Sequence, residues 1–413
     1  MSQTKAQLVD AVDGSIVADD LAADCVTTAK VANSAITDAK ISGLTSSKLT
    51  GALPAISGAS LTNLPAGAGK AKNLVINGDF RVAQRATSST SNGFTTVDRI
   101  KVYHSGTDEA PTFSQADVAS GTSPYGEGFR KCFKVTNGNQ TSVSAGDYIY
   151  FRHILESQDV ATSGWDYKNS SSNVTLSFWI KSSVAQEFKG YLRSTSTSGA
   201  NSTQQMFPFA IGALSANTWT KFTLTIPGHA NLEFDYDNGS GLDINISAYF
   251  GTNYSSSGTT QNAWSNYSSS GRVQDYSADT WYTTNDATLE VTGLQLEVGD
   301  SATDFEHLSF SENLRKCQRY FQKLLIYEYT GVSSNNYMFV KSFNYHGGEM
   351  RSTPSITGSR YTDGSGSFII SNSGTQSTGV TLYNANNKYI AVYGGNGSTC
   401  STIRGEFDVD AEL

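Results

Sequence analysis

Charge is scarce in this chain of 413 residues: 16% of positions are Asp, Glu, Lys or Arg, against 38% hydrophobic. Helices with solvated, charge-paired faces are disfavoured by such a composition. The formal balance is -8 and no block gathers the 29 basic residues, so an electrostatic footprint for nucleic acid is missing. No run approaches about 18 apolar residues, which argues against membrane insertion. The opening MSQTKAQLVDAVDG has no apolar stretch of the secretory kind. The expectation is cytoplasmic synthesis, with exit from the cell by lysis or as part of a particle.

Cysteine is rare as well. Cys25, Cys132, Cys317 and Cys400 are scattered, with no CxxC pair and no histidine at a ligand interval. They read as isolated reduced thiols filling small apolar spaces, with a disulfide or metal role as the weaker alternative. GxSxG, HExxH, P-loop and GxGxxG motifs are absent, and the five histidines show no ligand spacing. Glu233, Asp235, Asp237 and Asp243 are clustered enough in sequence to suggest a carboxylate pair for glycan hydrolysis or a structural Ca2+ site. Solvated loop carboxylates are the simpler reading; no cofactor is expected.

What is abundant is Gly (38), Tyr (21) and Phe (20), a mixture that favours strands and turns. At the amino-terminal end Ile16, Leu21, Val26, Val31, Ile36 and Ile41 recur at a constant interval of five. That step turns about 140° on an α-helix and swaps faces on a strand, so neither element collects the six on one side. A ten-residue unit fits better, with Ala22/Ala32, Thr27/Thr37, Ala29/Ala39 and Lys30/Lys40 in register. One small aliphatic per five residues cannot build a private core, so parallel association of three chains is expected, with these aliphatics inward. A disordered polar tail is the alternative. Residues 41–70 loosen into a narrow stalk ending in a hinge near Pro65.

After Ala71 the texture becomes aromatic and β-branched. In 173–181, Val174, Leu176, Phe178 and Ile180 alternate with Thr175, Ser177, Trp179 and Lys181, predicting a half-buried strand with Trp179 exposed. Segments 221–226 and 242–250 alternate likewise. In 287–298 the apolar phase switches at Gly293, predicting a β-bulge. Residues 251–286 should be long connections. An antiparallel β-sandwich over 71–308 is expected.

The runs NLVINGDFRVAQR (73–85), FTTVDRIKVY (94–103), LSFWIKSS (176–183), WTKFTLTIPG (219–228) and LEVTGLQLEVGDSATDFEHLSFSENLRKCQRYFQK (289–323) resemble the carbohydrate-binding-module-like jelly-roll domain of bacteriophage tail fibre and virion-attached fibre proteins. The decapeptide repeat with Thr-x-Ala-Lys is similar to the amino-terminal region of many phage fibres. Ile100 departs from the family, where a Trp often follows the Asp-Arg pair. The resemblance implies a homotrimeric virion protein, joined to tail or capsid proteins by its amino-terminal region and recognising a host surface glycan or envelope component distally.

Ser309 and Glu312 fit a capping box opening a linking helix over 309–324, with Leu314, Cys317, Phe321 and Leu324 as its apolar stripe. Residues 325–413 return to short strands, a small β-rich tip. Its tyrosines, with Tyr327, Tyr337, Tyr383, Tyr389 and Tyr393 foremost, offer sugar-stacking surfaces; together with Trp179 they are the glycan-binding candidates. The expected protein is mainly β and noncatalytic; a structural tail or capsid adaptor and a polysaccharide depolymerase are the alternatives.

Overall fold

The computed structural model describes residues 73–195, 203–332, 339–359, 369–372, 375–377, 380–394 and 400–413. The six repeat aliphatics at 16–41, and with them the expected trimer core, lie outside the described residues.

Alternating sequence becomes a two-sheet sandwich. Its strands are β1 (Ser88–Ser89), β2 (Ile100–Ser105), β3 (Thr112–Asp117), β4 (Lys131–Thr136), β5 (Tyr148–Glu156) and β6 (Asn173–Ser182). There follow β7 (Gln186–Ser194), β8 (Gln205–Leu214), β9 (Thr220–Pro227), β10 (Ser240–Phe250), β11 (Ser265–Asn266) and β12 (Thr288–Val298). Sheet one runs β1-β3-β4-β12-β6-β9 and sheet two β11-β8-β7-β10-β5-β2. All pairings within both sheets are antiparallel. The chain repeatedly crosses between sheets instead of completing one first, which is jelly-roll wiring.

Alternation sets the core. Val174, Leu176, Phe178 and Ile180 of β6 meet Leu242, Ile244 and Ile246 of β10 in one apolar cluster between the sheets. At Gly293 the β12–β6 register shifts between Thr292 and Gln295, and its φ of +68° is the left-handed conformation glycine tolerates. The bulge keeps Leu294 and Leu296 facing inward after Leu289 and Val291. A Cβ at this position would sit 2.6 Å from the Phe129 ring. Residues 251–286 are mostly connection, with only the two-residue β11 and a four-residue helix.

Four short helices punctuate the described strands: α1 (Ser123–Gly126), α2 (Ser157–Ala161), α3 (Thr280–Thr283) and α4 (Phe310–Gln318). The capping box forms, Ser309 Oγ accepting from Glu312 N and Glu312 from Ser309 N. Helix α4 is shorter than the expected stripe. It ends at Gln318, so Phe321 and Leu324 belong to the next strand rather than to a helical face. Leu324 instead joins a small core with Tyr345, Met350, Ile390, Phe407 and Val409.

Beyond α4 lie β13 (Phe321–Val332), β14 (Phe339–Asn344), β15 (Ser355–Ser359), β16 (Ile369–Asn372), β17 (Thr375–Ser377), β18 (Val380–Ala385), β19 (Tyr389–Gly394) and β20 (Cys400–Asp410). They form two sheets, β13-β20-β16-β17 with β15 also on β20, and β14-β19-β18. Sandwich and carboxy-terminal strands belong to one compact unit. Arginines tie them together. Arg99 pairs with Glu412 and lies 3.5 Å from the Tyr320 ring centre. Arg85 pairs with Asp410 at 2.8 Å, and Arg319 holds Glu156 through two hydrogen bonds of 3.0 and 3.1 Å.

A polar seam joins the first described segment to the closing one. Asn73 Nδ2 donates to the Leu294 carbonyl, while its Oδ1 accepts from Val75 N and Leu296 N. Asn77 Nδ2 donates to the carbonyls of Val82 and Asp98; its Oδ1 accepts from Val82 N and from Asn313 Nδ2. Asn77 adopts φ +61°, a conformation asparagine reaches more readily than most residues.

Candidate functional site

The outward face of sheet two concentrates tyrosines, guanidinium groups and buried polar side chains. The even positions of β10 point into the core, which leaves Asp243, Asn245 and Ser247 on the outer side. Strand register sets their neighbours in rows. One row reads Lys101, Arg152, Asn245, Tyr191 across β2, β5, β10 and β7; the next reads Tyr103, Tyr150, Ser247, Lys189. Arg193 of β7 stands opposite Asp243.

Within these rows, Arg152 Nη1 donates to Asp243 Oδ2 at 2.9 Å and Nη2 to the Tyr103 hydroxyl at 2.6 Å. The Tyr103 and Tyr150 rings stack at 4.8 Å. Burial pushes the Asp243 carboxyl upward, against the pull of Arg152, Arg193 and Lys101. Burial likewise raises the Tyr150 phenol to about 12, so it stays a neutral hydroxyl at any ordinary pH.

The connection 251–286 folds over one side of this face. Val273 is fully buried and bridges Ser255, while Ser247 Oγ and the Tyr276 hydroxyl share a 2.7 Å hydrogen bond. Arg272 lies 4.8 Å from the Tyr254 ring centre, and Arg193 lies 4.0 Å from that of Tyr267. Tyr103, Arg193, Tyr267 and Arg272 are half-buried, so each keeps part of its side chain toward solvent.

Several buried polar atoms here lack a partner: Arg152 Nε, Asp243 Oδ1, Asn245 Oδ1 and Arg272 Nε. Unsatisfied buried groups cost stability unless something else meets them, and these four share one face. Chemically its half-buried side chains offer phenol rings to pack on sugar C–H faces and guanidinium donors for hydroxyls, while the Asp243 and Asn245 oxygens are buried.

The residues singled out from sequence fall elsewhere. Trp179 is a correction: it is 9% exposed, not presented to solvent. The outer face of sheet one is covered around it, and its ring packs with Val118, Phe129 and Cys132, with Trp219 and Phe305 alongside. Its indole N–H donates to Glu127 at 3.0 Å. Tyr389 is half-buried in β19, and its carbonyl accepts from the Tyr345 hydroxyl. Tyr337 lies outside the described residues, and so do the side chains of Tyr327, Tyr383 and Tyr393, whose backbones run in β13, β18 and β19.

The acidic cluster also separates. Glu233 pairs with Lys168 at 2.7 Å, Asp237 Oδ1 accepts from Gly239 N, and Asp243 lies under Arg152. These carboxylates do not converge on one point. Among the described residues no group of three or more His, Cys, Asp or Glu is placed to hold a metal. Cys132 and Cys317 are buried free thiols, with burial raising the Cys132 thiol to about 12.

Sequence reasoning missed Tyr103, Arg152, Tyr191, Arg193 and Asn245 as a set. The alternation of 242–250 was the available signal: it names the outward residues of β10, though not the strands beside them.

No family model matches the chain, and no curated protein matches it. Among solved structures, it is similar to the enzymatically active domain of tailspike protein 4 of bacteriophage CBA120, at 10% identity and a TM-score of 0.27 over 55% of this chain. The match covers 21% of that tailspike chain. A family 22 xylan-binding domain from Paenibacillus barcinonensis gives 12% identity and a TM-score of 0.26, over 55% of this chain and 98% of that one. A family 30 carbohydrate-binding module gives 12% and 0.25, over 56% and 91%. Superpositions this loose leave the fold to be defined by its own sheet order.

Proposed function

We propose that the chain is a noncatalytic virion fibre subunit that recognises a host surface glycan through the outer face of β2, β5, β10 and β7. One observation carries the reading: aromatic rings, guanidinium groups and unpartnered amide and carboxylate oxygens share that face. A lone packing surface needs only the rings, and a structural ion pair needs only Arg152 with Asp243. Their combination suits a ligand that is apolar on its ring faces and polar around its rim, which describes a sugar.

The fibre part of the proposal rests on the decapeptide repeat, whose aliphatics need partner chains to bury them. Three copies joined along 1–70, attached to tail or capsid proteins at that end, would present three such faces. Asp243 has its charge engaged by Arg152 and Glu233 by Lys168, so neither stands as a free acid or base beside a bound sugar.

The test uses the intact chain with surface polysaccharide purified from susceptible cells. Saturable binding without release of reducing ends is expected, and sedimentation should give three times the mass of one chain. Release of new reducing ends would replace this reading with a depolymerase. Incorporation into particles without any polysaccharide or cell binding would replace it with a structural adaptor.

A further inference from the structure

We infer that this face selects acidic glycans, polymers bearing carboxylate or phosphate groups, a deduction that rests on its reading as a glycan site. The whole chain is formally -8. The face reverses that sign: Lys101, Arg152, Lys189, Arg193 and Arg272 gather there against Asp243, Glu187 and Asp275, five positive groups to three negative. A local excess of positive charge draws a polyanion across roughly 8–10 Å of salt solution and repels nothing in a neutral one.

The cations differ in how they are engaged. Arg152 is occupied by Asp243 and Lys189 by Glu187. Arg193 and Arg272 make no ion pair among the described residues. Each instead lies near a tyrosine ring, Arg193 4.0 Å from Tyr267 and Arg272 4.8 Å from Tyr254. An aromatic contact of this kind engages the flat face of the guanidinium and leaves its in-plane N–H groups available. Those donors match two oxygens of one carboxylate or phosphate. Arg193 meanwhile gives Nε and Nη2 to the neutral Gln204 Oε1, at 2.9 and 2.5 Å. A neutral amide oxygen is a weaker partner for a guanidinium than an anion, so a bound carboxylate displaces it with net gain. Arg272 is half-buried and hydrogen-bonded to Tyr267, with its buried Nε unpartnered, so Arg193 is the more accessible of the two.

The experiment titrates the full chain with polygalacturonate, its carboxyl-reduced neutral form, poly(glycerol phosphate) and dextran, at low and high salt. Binding of polygalacturonate at least tenfold tighter than of its reduced form, weakening with salt, is the expected result. The variant R193Q, checked for an unchanged melting curve, should lose about five- to tenfold toward the acidic polymer. Tighter binding of poly(glycerol phosphate), lost in R193Q, would assign the anion to phosphate rather than uronate. Equal binding of the acidic and reduced polymers overturns the selection for anions and leaves the glycan site standing. Acidic-polymer binding unchanged in both R193Q and R272Q overturns its location on this face. Failure to bind any of the polymers overturns the glycan reading and this inference together.

Discussion

Two regions of the sandwich bury polar side chains densely, and they do so to different ends. In the seam between residues 73–85 and 294–321, Asn73, Asn77 and Asn313 spend their amide groups on each other and on backbone that must be closed. On the outer face of sheet two, Asn245 gives one donor to the Tyr191 carbonyl, at 3.3 Å, and leaves its oxygen without a partner. The seam asparagines close their hydrogen bonds within the fold, whereas Asn245 leaves an oxygen open on the face proposed for recognition. Two buried asparagines, similar in sequence context, are thereby distinguished.

The sharpest way to break the comparison is Asn77→Ala. It orphans several buried donors and acceptors and puts alanine at a left-handed φ, so a loss of about 3 kcal/mol is expected in urea unfolding. Polysaccharide affinity of the folded protein should not move. A loss below about 1 kcal/mol would mean the seam is not what closes the sandwich.

Acid titration comes next, because two opposed ionisable groups, His153 and Asp98, hydrogen-bond to residues of the seam. Burial depresses the His153 imidazole from 6.5 to about 3, its Nε2–H donating to the Ile76 carbonyl. Between those values only the unfolded chain takes the proton, so this contribution is lost as pH falls from 6.5 toward 3. Burial raises the Asp98 carboxyl from 3.8 to about 6, so there the folded chain binds the proton first and acidification through 6 toward 3.8 restores stability. These opposing titrations should leave a net change of about 1 kcal/mol between pH 7 and pH 4, whereas Asp98→Asn exposes a fall of about 3 kcal/mol. Parallel denaturation curves at the two pH values read it directly. A variant whose stability falls no more than the parent's would show that the two groups do not oppose each other.

A smaller effect separates the two outer faces. Trp179→Phe keeps a ring in the packed cluster and removes the hydrogen bond to Glu127, an expected cost of about 1 kcal/mol. Glycan affinity should be unchanged; a marked loss would restore the outer face of sheet one as the recognition surface. Least in stability is Asn245→Ala, expected below about 1 kcal/mol because only one 3.3 Å bond is removed, yet with a several-fold loss in affinity. An asparagine that proves costly for stability and silent for binding would collapse the distinction between seam and face.

The parts legible in sequence were the local ones. Alternation at 173–181, the phase switch at Gly293 and the Ser309–Glu312 box each depend on neighbours within a few residues, and each formed. Trp179 was misread because alternation assigns a residue to a face without saying what covers it. Here the cover comes from Phe129 and Phe305, distant in sequence. The Asp98–Arg99 pair, part of the recognisable motif, proved to be a joint: Arg99 reaches Glu412, 313 positions away. The proposed face was obscure for the same reason, since Arg152, Tyr191 and Asn245 meet only once β5, β7 and β10 are in register. The recognisable motifs thus mostly mark how the sandwich closes, and of the four strands of the proposed face they name only β2.

The most direct measurement is hydroxyl-radical footprinting of the intact chain with and without bound polysaccharide, read at half-buried tyrosines on opposite sides of the sandwich. Tyr103 and Tyr267 line the outer face of sheet two, whereas Tyr125 packs beside Trp179 over sheet one. Protection of Tyr103 and Tyr267 with Tyr125 unchanged is the predicted result. Protection of Tyr125 alone, or of none of the three while the polysaccharide remains bound, would contradict the assignment of glycan recognition to this face.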